Sequence, residues 1–175
     1  MKNGKRHQNR RFLRGLRHDF RLSPLKCLIL CLTLIVPLIA NLALAEPIHI
    51  DYDAIAMIES SNNPLAYNEK SGARGLFQIR EIALKDYNNY HRNRMYMEAD
   101  LFEGSVSKEI AIWLFEVRIP QLLKHYELEV NLKNLLFSYN WGTKNVSDWY
   151  KNGAKIEYVP TETRNYYDRY IRYAN

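Results

Sequence analysis

An uncharged stretch from Cys27 to Ala45, with an apolar run from Cys27 to Ala40, ends the basic leader of this chain of 175 residues and separates it from a body that must fold without it. Residues 1–26 carry nine Lys or Arg side chains against one acid, Asp19, so the +6 net charge of the chain comes from the leader. The rest of the chain holds sixteen basic and eighteen acidic residues and is close to neutral. With no basic helix after the leader, the sequence does not favour nucleic-acid binding.

The leader has the three parts of a secretory signal: a basic start, an apolar stretch, and the small residues Ala43 and Ala45 at a cleavage site. We therefore expect a signal peptide over residues 1–45 and one exported domain over residues 46–175, located in the periplasm or cell envelope. The alternative is an uncleaved membrane anchor, because the uncharged run approaches the length that spans a bilayer.

The side chains of the body exclude several kinds of chemistry. Both cysteines, Cys27 and Cys31, lie in the apolar run, so the body has neither a thiol nucleophile nor a disulfide. Its histidines His49, His91 and His125 are scattered and are not joined by clustered acids. We therefore predict no metal and no other cofactor.

The body has the pattern of a helical domain. Apolar residues recur at helical spacing, and no strand-like alternation is long enough to build a sheet. We therefore predict a mostly α fold, with a loop or short turns over the poorly periodic residues 89–104. The predicted helices cover residues 51–60, 78–88, 106–126, 132–141, 144–151 and 162–173.

Capping residues and a proline predict where these helices begin, end or bend. Asp51, Asn131 and Thr161 are predicted N-caps, and Gly142 is a predicted C-terminal stop. Pro120 is expected to bend the helix over 106–126 or divide it in two. The inward side of that helix is predicted to carry Ile110, Trp113, Leu114, Val117 and Leu122.

Glu59 closes the first predicted helix, beside the apolar residues Met57 and Ile58. Apolar surroundings and the negative end of a helix dipole both raise the pKa of a carboxyl group. A carboxylic acid that stays protonated near neutral pH can give its proton to a leaving oxygen. The alternative is a solvated glutamate at a helix end, which is the commoner case for an arbitrary Glu. Physical chemistry alone leaves both interpretations open.

Three blocks of sequence follow one another in a characteristic order. They are Glu59-Ser60 with Asn63-Pro64 and Gly72-Ala73-Arg74-Gly75-Leu76-Phe77-Gln78-Ile79, then Tyr139-Asn140-Trp141-Gly142, then Pro160-Thr161-Glu162-Thr163-Arg164-Asn165-Tyr166. Together these blocks resemble the SLT-type lytic transglycosylases over about residues 50–173. The resemblance implies a single lysozyme-like domain that cleaves the glycan strands of bacterial peptidoglycan.

The resemblance also assigns roles to individual residues. Glu59 matches the catalytic glutamate, and Gln78 matches a residue that hydrogen-bonds the sugar near the cleavage point. Tyr139 matches a tyrosine beside the glutamate, and Asn140 matches its neighbour in the cleft wall.

Two positions depart from the family pattern. Asn68 stands where the family usually has a serine nine residues after the glutamate. One residue is also inserted before Gly72, so Ser71 is the second candidate for that substrate-binding role. Phe77 replaces the methionine that usually precedes the glutamine, and this change keeps an apolar wall.

Several of these residues have a structural alternative. Gln78 taken alone is typical of an exposed position at a helix start, and Asn140 is as typical of a helix C-cap as of a substrate contact. Glu162 and Thr163 are interpreted as structural residues of a helix start, where an acid favours the dipole. Trp141 is predicted to be core or cleft wall and not a sugar platform.

The resemblance implies a mechanism that uses one carboxylate. Most glycosidases pair two, but Asp51 and Asp53 lie nearly two helical turns before Glu59 and are poor partners. Glu59 would protonate the oxygen between N-acetylmuramic acid and N-acetylglucosamine, then deprotonate the C6 hydroxyl to close a 1,6-anhydro ring. The alternatives are a hydrolysing muramidase and a catalytically weak glycan-binding scaffold. The small body also suggests service to an envelope-spanning secretion or conjugation apparatus.

Overall fold

The computed structural model describes residues 48–93 and 95–174. The predicted signal peptide, its cleavage site, the alternative anchor and the boundary at residue 46 lie outside the described residues. The α-helices are α1 Tyr52–Ser60, α2 Glu81–Tyr90, α3 Gly104–Trp113, α4 Ile119–His125, α5 Leu132–Trp141, α6 Thr143–Lys151 and α7 Thr161–Tyr173. Short 3₁₀ turns cover Glu98–Phe102 and Ile156–Tyr158, and a π-helical turn covers Leu114–Arg118.

The described part of the chain is mostly helical, as the hydrophobic periodicity predicts. Its one sheet is a hairpin of two-residue strands, β1 Tyr67–Asn68 and β2 Ala73–Arg74, which pair antiparallel. Among the described residues, no helix combines the length and the apolar character needed to cross a bilayer.

Two of the predicted N-caps are confirmed by their hydrogen bonds. The Asp51 carboxylate accepts from the backbone N–H groups of Asp53 at 3.0 Å and Ala54 at 2.9 Å. The Asn131 side-chain oxygen accepts from the backbone N–H of Asn134 at 2.9 Å. Such bonds satisfy N–H groups that have no partner inside the helix. Gly142, at φ 95°, ends α5 where it was predicted to.

The predicted cap of the last helix is wrong by one residue. Helix α7 begins at Thr161, and Pro160, with an extended ψ of 141°, occupies the capping position without a side-chain cap. A proline fits there because it has no N–H that needs a partner. The Thr161 hydroxyl instead accepts a hydrogen bond from Nη2 of Arg164 at 3.0 Å.

The predicted second helix also begins later than expected. Helix α2 starts at Glu81, after Arg80 in extended backbone. Gln78 lies before it in a turn, with φ at 49°, a left-handed conformation that does not continue a helix. The prediction of short turns before α3 is confirmed by the 3₁₀ turn over Glu98–Phe102.

The predicted long helix is divided near Pro120, as expected, but its inward face differs from the prediction. The π turn Leu114–Arg118 takes up more residues than an α-helical turn and so rotates the face that follows it. Leu123 is therefore fully buried, whereas the predicted inward residue Leu122 is only partly buried. Leu122 lies on the wall of a cleft instead.

The core joins α1 to the helices around it. Ile55, on α1, is fully buried, and α7 packs across this helix. The backbone N–H of Asp51 donates to the Tyr170 hydroxyl of α7 at 2.8 Å, which fastens the start of α1. A smaller buried cluster of Phe137 with Trp149 and their neighbours lies between α5 and α6. Helix α1 is thus held at its start by α7, and its last residues face a cleft.

Candidate active site

A cleft of about 1390 Å³ opens over the end of α1 and brings together residues that are distant in the sequence. Its walls come from the loop after α1, from α2, from the π turn and α4, from the end of α5, and from α7. A cleft of this size and mixed lining is what a ligand site requires. The predicted site residues in its lining are Glu59, Ser71, Gln78, Tyr139 and Asn140.

Glu59 lies in the last turn of α1, and its carboxyl group faces this cleft. Burial raises its pKa from the usual 4.5 to about 7, because an anion is poorly solvated there. Interactions with Tyr166 and Arg169 lower that pKa but do not cancel the burial, and the nearby Glu162 carboxylate raises it. Glu59 can therefore exist in both protonation states near neutral pH, which suits a group that first gives and then takes a proton.

Two tyrosines lie near the Glu59 carboxyl group, the partly buried Tyr139 and the buried Tyr166. Tyr139 stacks on the ring of Phe115, with centroids 4.6 Å apart, and its hydroxyl donates to the backbone oxygen of Phe77 at 2.7 Å. Tyr166 has a buried hydroxyl that reaches no hydrogen-bond partner of ordinary geometry, although it is close enough to Glu59 to favour the carboxylate. Burial and the Glu59 charge both raise the pKa of each tyrosine well above 10, so both remain neutral donors.

Gln78 is held by the loop between α1 and α2. Its side-chain nitrogen donates to the backbone oxygens of Ala66 at 3.2 Å and Gly75 at 3.1 Å. With the nitrogen committed, the side-chain oxygen is the atom left for a ligand. Gly75 cannot be replaced there, since a Cβ atom at its φ of 76° would lie 1.8 Å from the backbone oxygen of Leu101.

Asn68 and Ser71 both line the cleft, so both candidates for the substrate-binding position are in place. The Asn68 side-chain oxygen accepts from the backbone N–H groups of Lys70 at 3.1 Å and Ser71 at 3.0 Å. Its side-chain nitrogen remains as a donor. The Ser71 hydroxyl accepts from the backbone N–H of Ala73 at 3.3 Å and keeps its own proton to donate.

The comparison with protein families decides what this cleft belongs to. The transglycosylase SLT domain family matches residues 52–158 of the chain. This chain is a member of the SLT transglycosylase family. The family consists of lytic transglycosylases, which are glycosidic bond lyases acting on peptidoglycan. No significant match is found among curated proteins or among solved structures.

The family match covers only some of the residues that line the transglycosylase cleft. It includes Glu59, the hairpin loop, Gln78 and the end of α5, but it stops before α7. The resemblance between residues 160–166 and the family's last block therefore rests only on the residues themselves.

Of the two roles that the sequence left open for Asn140 at equal weight, the structure excludes the helix C-cap. Helix α5 is capped by Gly142, and the Asn140 side-chain oxygen accepts from the Thr163 hydroxyl at 2.8 Å. This bond ties α5 to α7 beneath the cleft, while Asn140 still lines the wall. Thr163 is structural, as predicted, because it is buried and makes this bond.

Sequence reasoning missed three α7 residues that line the cleft of this transglycosylase: Glu162, Tyr166 and Arg169. Glu162 was interpreted as a helix-start residue only, yet it is exposed in the cleft and acts on Glu59. Helical spacing offered a signal, since positions 162, 166 and 169 fall on one face. Among the described residues, no group of three or more His, Cys, Asp or Glu side chains has an arrangement that holds a metal ion.

Proposed function

We propose that this SLT transglycosylase cleaves the β-1,4 bond between N-acetylmuramic acid and N-acetylglucosamine and releases a 1,6-anhydromuramoyl product. The observation that carries the proposal is the position of Glu59, a carboxyl group with a pKa of about 7 in the lining of the cleft. Asp51 and Asp53 are at the opposite end of α1, and Asp51 is occupied as its cap. In this proposal Glu59 acts first as an acid and then as a base.

The first step breaks the glycosidic bond. Protonated Glu59 gives its proton to the bridging oxygen, the bond from muramoyl C1 to that oxygen breaks, and N-acetylglucosamine leaves with a free 4-hydroxyl. The substrate's own acetamido oxygen stabilises the electron-poor C1 centre. The buried Tyr166 hydroxyl favours the carboxylate that forms on Glu59.

The second step closes the ring without consuming water. The Glu59 carboxylate takes the proton of the muramoyl C6 hydroxyl while O6 bonds to C1. This returns Glu59 to its protonated form for the next cycle. The side-chain oxygen of Gln78 and the side chains of Asn68, Ser71 and Asn140 line the cleft as contacts for the sugars.

Glu59→Gln tests the assignment of the acid and base. The variant keeps the size of the side chain but cannot transfer a proton, so we expect no clearing of purified sacculi while glycan binding persists. Full turnover by this variant would overturn the proposal. Mass spectrometry of wild-type products tests the ring closure, since products with a reducing-end muramic acid indicate hydrolysis.

Glu162 gives a specific reason to keep hydrolysis as a second candidate. It is the other carboxylate of the cleft that acts on Glu59, and a second carboxylate can activate a water molecule. If hydrolysis occurs, Glu162→Gln should remove the hydrolytic products and leave any anhydro product. A glycan-binding scaffold, the remaining alternative, predicts binding without any product.

We further propose that the enzyme acts outside the cytoplasm, in the periplasm or cell envelope, where its substrate is found. The basic leader and the Ala43–Ala45 site support export. Service to an envelope-spanning secretion or conjugation apparatus, whose assembly requires an opening in the wall, is part of this proposal. N-terminal sequencing of the exported protein distinguishes cleavage after Ala45 from a retained anchor.

A further inference from the structure

A second depression runs along one face of α6, beside the cleft. It encloses about 530 Å³ and is lined by Trp141, Asn145, Asp148, Trp149, Asn152 and Tyr158. We call these six residues the α6 groove. Part of its lining repeats at helical spacing along α6, and the exposed Tyr158 comes from the 3₁₀ turn that follows.

The polar groups of the α6 groove are arranged to accept hydrogen bonds. The side-chain nitrogen of Asn145 donates to the backbone oxygen of Trp141 at 2.6 Å, and that of Asn152 donates to the backbone oxygen of Asp148 at 2.7 Å. The Trp149 indole N–H donates to the backbone oxygen of Lys155 at 2.8 Å. Each asparagine therefore keeps its side-chain oxygen, which meets no donor within the described part of the chain, as a free acceptor.

The α6 groove continues the wall of the catalytic cleft. Trp141 lines both, and the cleft also reaches the next residues, Gly142 and Thr143. A glycan strand that leaves the cleft past Trp141 would meet the groove directly. Helix α6 has nine residues and is about 13 Å long, enough to contact more than one sugar ring.

We propose that the α6 groove is a remote glycan subsite that binds N-acetylated sugars of the strand being cleaved. Sugar hydroxyl and acetamide N–H groups are donors that match the free asparagine oxygens. The carbon–hydrogen faces of sugar rings match the exposed ring of Tyr158 and the part of the half-buried Trp141 ring that lines the groove. This inference rests on the proposed cleavage of glycan, because it assigns a further part of the same strand to this chain.

Binding by strands of different length tests the α6 groove. Titration calorimetry on the Glu59→Gln protein would compare a tetramer with an octamer of N-acetylglucosamine. We expect the octamer to bind about tenfold more tightly, and Asn152→Ala with Tyr158→Ala to remove this advantage without changing tetramer binding. Tyr173→Ala, at another exposed tyrosine, is the matched control and should change neither.

Three outcomes would overturn the groove assignment. They are a length advantage that survives the double substitution, an equal loss for both oligomers, and displacement of bound octamer by free stem peptide, which would make the groove a peptide site. The proposed function itself is tested separately, by measuring product formation by the wild-type enzyme. The two failures are therefore distinguishable.

A different observation concerns Arg169, on the other side of the cleft. Its Nη2 donates to the backbone oxygen of Ile58 at 3.1 Å. This oxygen is in the last turn of α1, where carbonyl groups lack partners within the helix. The bond places a positive guanidinium group beside Glu59 and along the cleft wall.

We infer that Arg169 is a positioning residue that holds the end of α1 and stabilises the Glu59 carboxylate between bond cleavage and ring closure. Glu59 is an anion during that interval, in a site where burial disfavours charge. A fixed cation at the same helix end offsets both the burial and the negative end of the helix dipole.

The pH dependence of turnover tests Arg169. Arg169→Met should move the alkaline limb of the kcat/KM profile up by about one pH unit, because the carboxyl group becomes harder to ionise. Arg169→Lys should restore the wild-type limb. Arg172→Met is the matched control, since Arg172 is exposed one turn further along α7 and bonds within its own helix. A lower melting temperature with an unmoved limb would show a purely structural role and overturn the inference.

Discussion

Replacing Glu59 by glutamine should stabilise the fold in a manner that depends on pH. In the unfolded chain the carboxyl group has its ordinary pKa of 4.5, and folding raises this pKa to about 7. Below about pH 4 the group is protonated in both states and folding is not opposed. As the pH rises through 4.5 toward 7, the unfolded state ionises first, so the wild-type fold loses stability. Glutamine is neutral throughout and avoids that loss.

The size of the effect follows from the shift. At about 1.36 kcal/mol per pKa unit, a rise from 4.5 to about 7 corresponds to about 3 kcal/mol of lost stability once the pH is above about 8. Water in the open cleft screens part of this charge, which leaves an expected gain of about 2 kcal/mol for Glu59→Gln. The gain should vanish near pH 4.

Urea unfolding followed by circular dichroism at pH 4, 6 and 8 measures this difference. The matched control is Glu157→Gln, at an exposed glutamate in the 3₁₀ turn Ile156–Tyr158, and its free energy of unfolding should follow the wild type at every pH. An equal gain for Glu59→Gln at pH 4 and pH 8 would refute the reasoning, since it would show that charge burial is not the cause. A loss at pH 8 would refute it as well.

Three further perturbations have defined outcomes. Tyr166→Phe removes a donor that favours the carboxylate, so the alkaline limb of the kcat/KM profile should move to higher pH while binding of glycan changes little. Thr163→Val leaves the Asn140 side-chain oxygen without its donor and should lower the unfolding free energy by about 1 kcal/mol, measured in urea. Gly75→Ala forces a Cβ atom against the Leu101 carbonyl and should cost more than about 3 kcal/mol or prevent folding, as judged by circular dichroism and soluble yield.

The helices could be predicted where local chemistry determines their ends. Asp51 and Asn131 cap helices through their own side chains, and Gly142 ends one through its backbone, so each acts within a few residues of sequence. Leu123 could not be predicted as the buried residue, because its orientation depends on a π turn that has no local signal. This is why Leu122 was wrongly predicted to face inward.

In the candidate site, too, features that depend on neighbouring residues could be predicted, and features that depend on distant residues could not. Glu59 could be found because its motif and its helix end are continuous in the sequence. The contribution of Arg169 could not, since its bond to Ile58 joins residues separated by 111 positions. The motif correctly predicted that Gln78 contributes to the cleft. Its left-handed backbone in a turn was not predicted, because the local sequence pattern favoured a helix there.

Three side chains around Glu59 are anchored to main-chain oxygens. Tyr139 donates to Phe77, Arg169 to Ile58, and Gln78 to Ala66 and Gly75. A main-chain oxygen is present whatever side chain the residue carries. Position 77 can therefore exchange one apolar side chain for another without moving the tyrosine, whereas position 75 must stay glycine because of the nearby Leu101 carbonyl. The same site thus has one support that tolerates substitution and one that does not.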